Sequence, residues 1–159
     1  MERLWTPWRR EYIESVGQDA EGCIFCDKPS AGDDEATYIL ARSDLAFAML
    51  NAYPYNPGHL LVAPFRHVGD LEEVDTGELS EMSGLLQRAI TAMKEAARPH
   101  GFNLGMNLGR VAGAGIPGHL HWHLVPRWDG DTNFMPLIGE TKVLAELLSD
   151  TYVKLRPLF

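Results

Sequence analysis

One stretch constrains the fold more than any other: Gly118-His119-Leu120-His121-Trp122-His123-Leu124-Val125-Pro126-Arg127. The alternation from His119 to Val125 predicts a β-strand, because successive strand side chains point to opposite faces. His119, His121 and His123 then share one face, and Leu120, Trp122 and Leu124 share the other. The apolar face can be buried. The imidazole face needs a chemical reason, since Ser or Thr would serve as plain polar filler. Three chemistries fit. All three imidazoles could bind one catalytic zinc. One could be a nucleophile, with its neighbours as acid or orienter. One could serve a metal while another does the chemistry.

The rest of the chain predicts an α+β domain with a mostly antiparallel sheet. Strands are expected at residues 37–41, 45–50, 59–63 and 102–108, besides the histidine strand. Asp75 and Glu78 form a capping pair at a helix start. Leu79, Met82, Leu86, Ile90 and Met93 follow at helical spacing, and that helix should stop near Arg98-Pro99. Val143, Leu144, Leu147, Leu148 and Leu155 outline a second helix. Residues 4–13 are aromatic and expected to pack down. Residues 27–36 are small and polar and read as a loop. No repeat or linker divides the 159 residues, so one domain, 1–159, is expected.

The net charge of −8 argues against a general DNA or RNA binder, which needs a basic face. It leaves room for a small anionic ligand at a locally positive site. No apolar run reaches the roughly 18 residues of a membrane span, and the amino terminus lacks a signal-peptide core. The expected compartment is the cytoplasm. A lone structural disulfide between the two cysteines, Cys23 and Cys26, is out of place there. Their Cys-x-x-Cys spacing suits a zinc site, with His67 and His119 as candidates for the remaining ligands. The rivals are a redox dithiol, which would open a helix after a strand, and two buried reduced thiols. The residues after Cys26 read as loop, which favours the metal. The glycine-rich stretch from Gly109 to Gly118 leads into the histidines, and loops of this kind bring backbone N–H groups close to phosphate. His100 is expected to be an exposed loop residue.

At these residues the chain resembles the histidine triad family, whose signature alternates three histidines with apolar residues. Asn51-Ala52-Tyr53-Pro54-Tyr55-Asn56-Pro57-Gly58-His59 resembles the family's Asn…Pro-Gly-His segment. Residues 103–109 resemble the strand before its phosphate loop. Residues 4–13 and 131–134 are similar to bacterial and archaeal members close to diadenosine tetraphosphate phosphorylases. Family hydrolases carry Gln or Ser in the loop before the triad, and here Gly113 to Gly118 offers no such side chain.

The resemblance implies a curled, mostly antiparallel sheet with a long packed helix and a carboxyl-terminal helix, as a homodimer. It implies cleavage of a dinucleoside polyphosphate at the α-phosphate through a nucleotidyl-histidine, with transfer to phosphate or water. Adenosine phosphoramidate hydrolysis, or nucleotide binding with little turnover, are the alternatives. His121 would be the nucleophile. His123 would contact the phosphate or leaving group, and His59 would stand behind the nucleophilic ring. Asn51 would approach the ribose. Asn107, Gly113, Ala114 and Gly115 would meet the phosphates; apart from the resemblance, the position of Trp128 and Asn133 near the carboxyl terminus suits them to shape substrate access. Cys23, Cys26, His67 and His119 would hold a structural zinc, as in the galactose-1-phosphate uridylyltransferase relatives. No nucleic acid and no membrane partner is implied.

Overall fold

The computed structural model describes residues 22–131 and 146–159. The aromatic segment 4–13, Asn133, and Val143 and Leu144 of the expected second helix lie outside the described residues. Five strands, β1 (Ile39–Arg42), β2 (Ala46–Leu50), β3 (Leu60–Pro64), β4 (Gly101–Met106) and β5 (Trp122–Arg127), form one sheet in the order β1-β2-β3-β5-β4. Every pairing is antiparallel.

The strands β2 and β3 are apolar throughout because both faces are covered. Ala46, Ala48, Leu50, Leu60 and Val62 pack into one cluster, and Phe47, Met49, Leu61 and Ala63 into a second. Helix α3 (Thr76–Ala97) closes the first cluster with Met82, Leu85, Leu86, Ala89 and Met93. Its start is fixed as expected: the Glu78 carboxylate accepts the Asp75 N–H at 2.9 Å. Its end is equally sharp, with Arg98 in the left-handed region (φ 47°) before Pro99. Helix α4 (Leu148–Leu155) adds Tyr152 and Leu155 to the same cluster, and the Tyr152 hydroxyl donates to the Ile39 carbonyl. Among the described residues no helix is long and apolar enough to cross a membrane.

Three expectations are corrected. The sheet is open rather than curled: among the described residues its order runs linearly from β1 to β4, with both end strands as edges. Curvature needs bulges or kinks. The β2–β3 and β4–β5 ladders keep register over their whole length, and the one register shift lies at the β1 edge between Ile39 and Ala41. Residues 27–36 are largely helical. Helix α1 (Ile24–Ser30) starts on the Cys23 carbonyl, which accepts N–H groups from Cys26 and Asp27, each at 2.8 Å. Helix α2 (Asp34–Thr37) is capped by the Asp33 carboxylate, which accepts the Ala36 N–H at 3.0 Å. Finally, the histidine strand enters the sheet at Trp122, not His119. The Leu120 N–H bonds the Val68 carbonyl, outside the ladder, at 2.7 Å. The division of faces survives: Leu120 and Leu124 lie in the α3-side cluster with Trp122 packed on it.

Candidate active site and metal centre

His123 stands in the sheet interior, opposite Leu61 of β3 and Gly105 of β4. His121 and His119 precede it on the approach to β5. All three rings lie on the face opposite α3, beside Phe25 from α1 and His59 from the turn before β3. The tight 53–58 turn delivers His59. Gly58 adopts φ +80°, a left-handed conformation that other residues take only under strain.

Backbone groups fix the protonation pattern of these imidazoles. The His121 Nδ1 lies 2.8 Å from the His119 carbonyl oxygen. A carbonyl only accepts, so Nδ1 carries the proton and Nε2 the lone pair. The His119 Nε2 lies 2.9 Å from the Pro64 carbonyl. By the same logic its Nδ1 keeps the lone pair. The Tyr55 backbone N–H donates to the His59 Nδ1 at 3.1 Å. The His59 proton therefore sits on Nε2, which donates to the His123 Nδ1 at 3.0 Å. His123 in turn carries its proton on Nε2. His59 thus backs His123, and its ring stacks on Tyr55 at 4.8 Å and 20°. Burial lowers the pKa of His121, only partly offset by its bond to the His119 carbonyl. Burial likewise lowers that of His119. Both imidazoles are thereby held neutral near pH 7.

The four expected metal ligands converge. Ligand atoms of Cys23, Cys26, His67 and His119 all lie within 4.8 Å of one another. The His119 Nδ1 lies 3.3 Å from the Cys23 Sγ and 3.6 Å from the Cys26 Sγ, and the His67 Nδ1 lies 3.4 Å from the Cys26 Sγ. Without a cation, burial and then the neighbouring Cys23 thiol push Cys26 up to about 11. These residues form a cluster able to hold a metal ion, and the Pro64 carbonyl orients His119 toward it as outer-shell partners do. This separates the triad. His119 faces the cysteines, His121 faces the backbone and His123 faces His59, so the three imidazoles do not converge on one catalytic ion. The cysteines do open a helix, which removes the sequence objection to a dithiol. The convergence of His67 and His119 on them favours the metal.

The remaining candidates sit as follows. Asn51 takes the Tyr53 N–H on Oδ1 at 2.9 Å and points Nδ2 at the His59 Nδ1 at 3.3 Å, so it holds the 53–58 turn. Asn107 donates to the Gly113 carbonyl at 3.4 Å, tying the glycine loop to the end of β4. The N–H groups of Gly113 and Ala114 bond the Arg110 and Gly109 carbonyls at 3.0 and 3.2 Å. These bonds close the loop on itself. The Trp128 indole donates to the Ala97 carbonyl at 3.3 Å, anchoring it on the end of α3. His100 is exposed and pairs with Asp129 at 3.2 Å.

Sequence reasoning missed several supports. Asp131 is one: it takes the Arg127 guanidinium at 2.5 and 2.8 Å and the Asn56 amide at 2.8 Å. Arg127, then Asn56 and the Trp128 N–H, hold its carboxyl well below the usual carboxylate range. This ties the 53–58 turn to the end of β5. The i,i+4 spacing of Arg127 and Asp131 was the only trace of it in the sequence. The bonds from the Tyr55 N–H and the Pro64 carbonyl leave none, because backbone groups carry no sequence signal.

Comparison with known proteins agrees with this geometry. Residues 34–130 match the model of the HIT domain. The chain is 45% identical over 158 residues to a protein of Mycobacterium tuberculosis named AP-4-A phosphorylase, covering 95% of this chain and 80% of that one. Among solved structures it is similar to a zinc-bound histidine triad family protein from Mycobacterium smegmatis, with a TM-score of 0.70 and 25% identity over 86% of this chain and 92% of that one. A hypothetical histidine triad nucleotide-binding protein from Sulfolobus tokodaii gives a TM-score of 0.66 and 29% identity, covering 86% and 88%.

Proposed function

The chain belongs to the histidine triad family, and on that premise we propose that it cleaves dinucleoside polyphosphates such as diadenosine tetraphosphate, passing a nucleotidyl group from His121 to phosphate or water. One observation carries the assignment of the nucleophile: the His121 Nδ1–H is committed to the His119 carbonyl, which leaves the lone pair on Nε2. The neutral ring needs no base to activate it. Its Nε2 attacks the α-phosphorus, the bond to the bridging oxygen breaks, and a nucleoside polyphosphate leaves as its anion. The attacked ring, still protonated on Nδ1, becomes a cationic phosphoramidate. The Nε2–H of His123 hydrogen-bonds the phosphoryl or departing oxygen, where charge develops. His59 keeps that proton on the outer nitrogen. Phosphate or water then displaces the nucleotidyl group and restores neutral His121. Asn107 meets the phosphate chain, and Asn51 supports the turn nearest the ribose. The unit acts as a single domain and as a homodimer.

Zinc is the ion these residues suit, since two thiolates and two imidazoles make a closed tetrahedral set. Cys23, Cys26, His67 and His119 would hold it, and bound there it is structural, joining α1 to the approach to β5. The reducing cytoplasm keeps both thiols available as ligands.

Product analysis tests the reaction. Diadenosine tetraphosphate with inorganic phosphate should give ADP and ATP, whereas attack by water gives AMP and ATP. His121→Ala should lower turnover by about four orders of magnitude, as nucleophile removals do. Rapid quench with α-labelled substrate should trap an acid-labile, base-stable adduct on the His121 peptide. Near-normal turnover of His121→Ala, or an adduct elsewhere, would exclude the mechanism.

A further inference from the structure

Phe25 lies between the two cysteines, and the proposed chemistry gives it no role. It is 1% exposed. Its ring centroid lies 4.5 Å from that of His121, with 31° between the planes, and 5.2 Å from that of His119 at 47°. Behind it stands Phe47, at 6.5 Å, and Phe47 stacks on Phe65 at 5.3 Å and 24°. The Arg42 guanidinium lies 5.8 Å from the Phe65 ring and pairs with Asp34 at 2.8 Å. A column of planar groups therefore runs from the surface at Arg42 through three phenylalanines to His121.

A histidine ring bound at one nitrogen is not fully placed. The torsion that turns an imidazole about its Cβ–Cγ bond has broad minima. The bond from Nδ1 to the His119 carbonyl chooses the tautomer but leaves the plane free to tilt about the N–H···O line. A flat ring against one face removes that tilt. Phe25 supplies the face, and it is rigidly held in turn. Phe47 backs it, and the residues flanking it in sequence, Cys23 and Cys26, belong to the metal cluster.

We propose that Phe25 is a positioning residue for the reaction, its ring fixing the plane of the His121 imidazole and so the line along which Nε2 meets phosphorus. The role rests on the assignment of His121 as nucleophile. It predicts a defect in chemistry rather than in binding, because small misplacements of a reacting group cost up to about 10²-fold.

The test compares Phe25→Leu, which keeps apolar bulk but loses the flat face, with Phe25→Ala. The protein is used with its metal as purified, on diadenosine tetraphosphate. Both variants should lose about 10- to 100-fold in kcat and in the single-turnover rate of adduct formation. KM should stay within about twofold of wild type, and metal content should be unchanged. Nitrogen-15 spectra of the imidazoles should show one sharp His121 tautomer in wild type and a broadened signal in the variants. Unchanged kcat in Phe25→Leu would overturn the proposal. So would a loss carried by KM, which would make the ring a substrate contact. Loss of fold or metal in both variants would make it a core residue only, and that too overturns the positioning role. If wild type forms no adduct on His121, the underlying reading fails and this role with it.

Discussion

His59 and His123 act as one unit, since the Nε2–H of the first is donated to the Nδ1 of the second. This makes a prediction that single variants cannot give. His123→Ala should lower turnover about 10²- to 10⁴-fold, the range of acid–base and hydrogen-bonding assistance. His59→Ala should cost less, because His123 keeps its ring but loses the group that fixes its tautomer. The double variant should be no slower than His123→Ala, since His59 then has nothing to act through. Steady-state rates of the four proteins decide it. Multiplicative losses would show that His59 contributes by a separate route.

Helix α3 depends on a carboxylate with two partners. Glu78 is 4% exposed, accepts the Asp75 N–H at 2.9 Å, and takes the Arg66 guanidinium at 2.7 and 2.9 Å. The bond to Arg66 holds its carboxyl below the ordinary value. A carboxyl depressed in the folded state stabilises it above the unfolded value, about 4.3, and that contribution is lost as pH falls through the folded value. Glu78→Ala should cost about 1–2 kcal/mol at pH 7, the scale of a lost cap plus a half-exposed ion pair. The gap between variant and wild type should be smaller at pH 3 than at pH 7, narrowing as pH falls through the lowered folded value. Urea melts at the two pH values measure this, and a cost equal at both would sink it. Much of this helix was legible in advance, because capping and apolar spacing are local signals. So was the Cys-x-x-Cys, whose spacing is a ligand pattern, whereas His67, 41 residues further on, was pointed to by the family resemblance. Helix α1 was not legible. Pro29, Ser30 and Ala31 read as loop, and Pro29 gives up a helical bond. What holds α1 is the burial of Phe25 and the convergence of Cys23 and Cys26 with His67 and His119, which are tertiary effects. Likewise the start of β5 at Trp122 coincides with the end of β4 at Met106, its partner, which alternation alone does not specify.

Across the whole molecule, the metal cluster joins three distant parts of the chain: α1, the segment after β3, and the approach to β5. Elemental analysis of protein purified without added metal should find one zinc per chain. Chelation, or Cys23→Ser, should lower the melting temperature by at least about 5 °C, or ~2 kcal/mol for a chain of this size. A chelated sample that melts unchanged would show that the cluster does not contribute to folding. The proton assignments around the cluster have a different kind of security. The tautomers of His119, His121 and His59 are set by the Pro64 carbonyl, the His119 carbonyl and the Tyr55 N–H. Every residue type supplies a carbonyl, and all but proline supply an N–H. Evolutionary drift at positions 55, 64 and 119 can therefore exchange side chains without rewriting where the protons sit. A descendant that loses the imidazole of His119, and with it one member of the metal-ready cluster, inherits the carbonyl that orients His121. Among single substitutions at these three positions, only proline at 55 deletes one of the instructions.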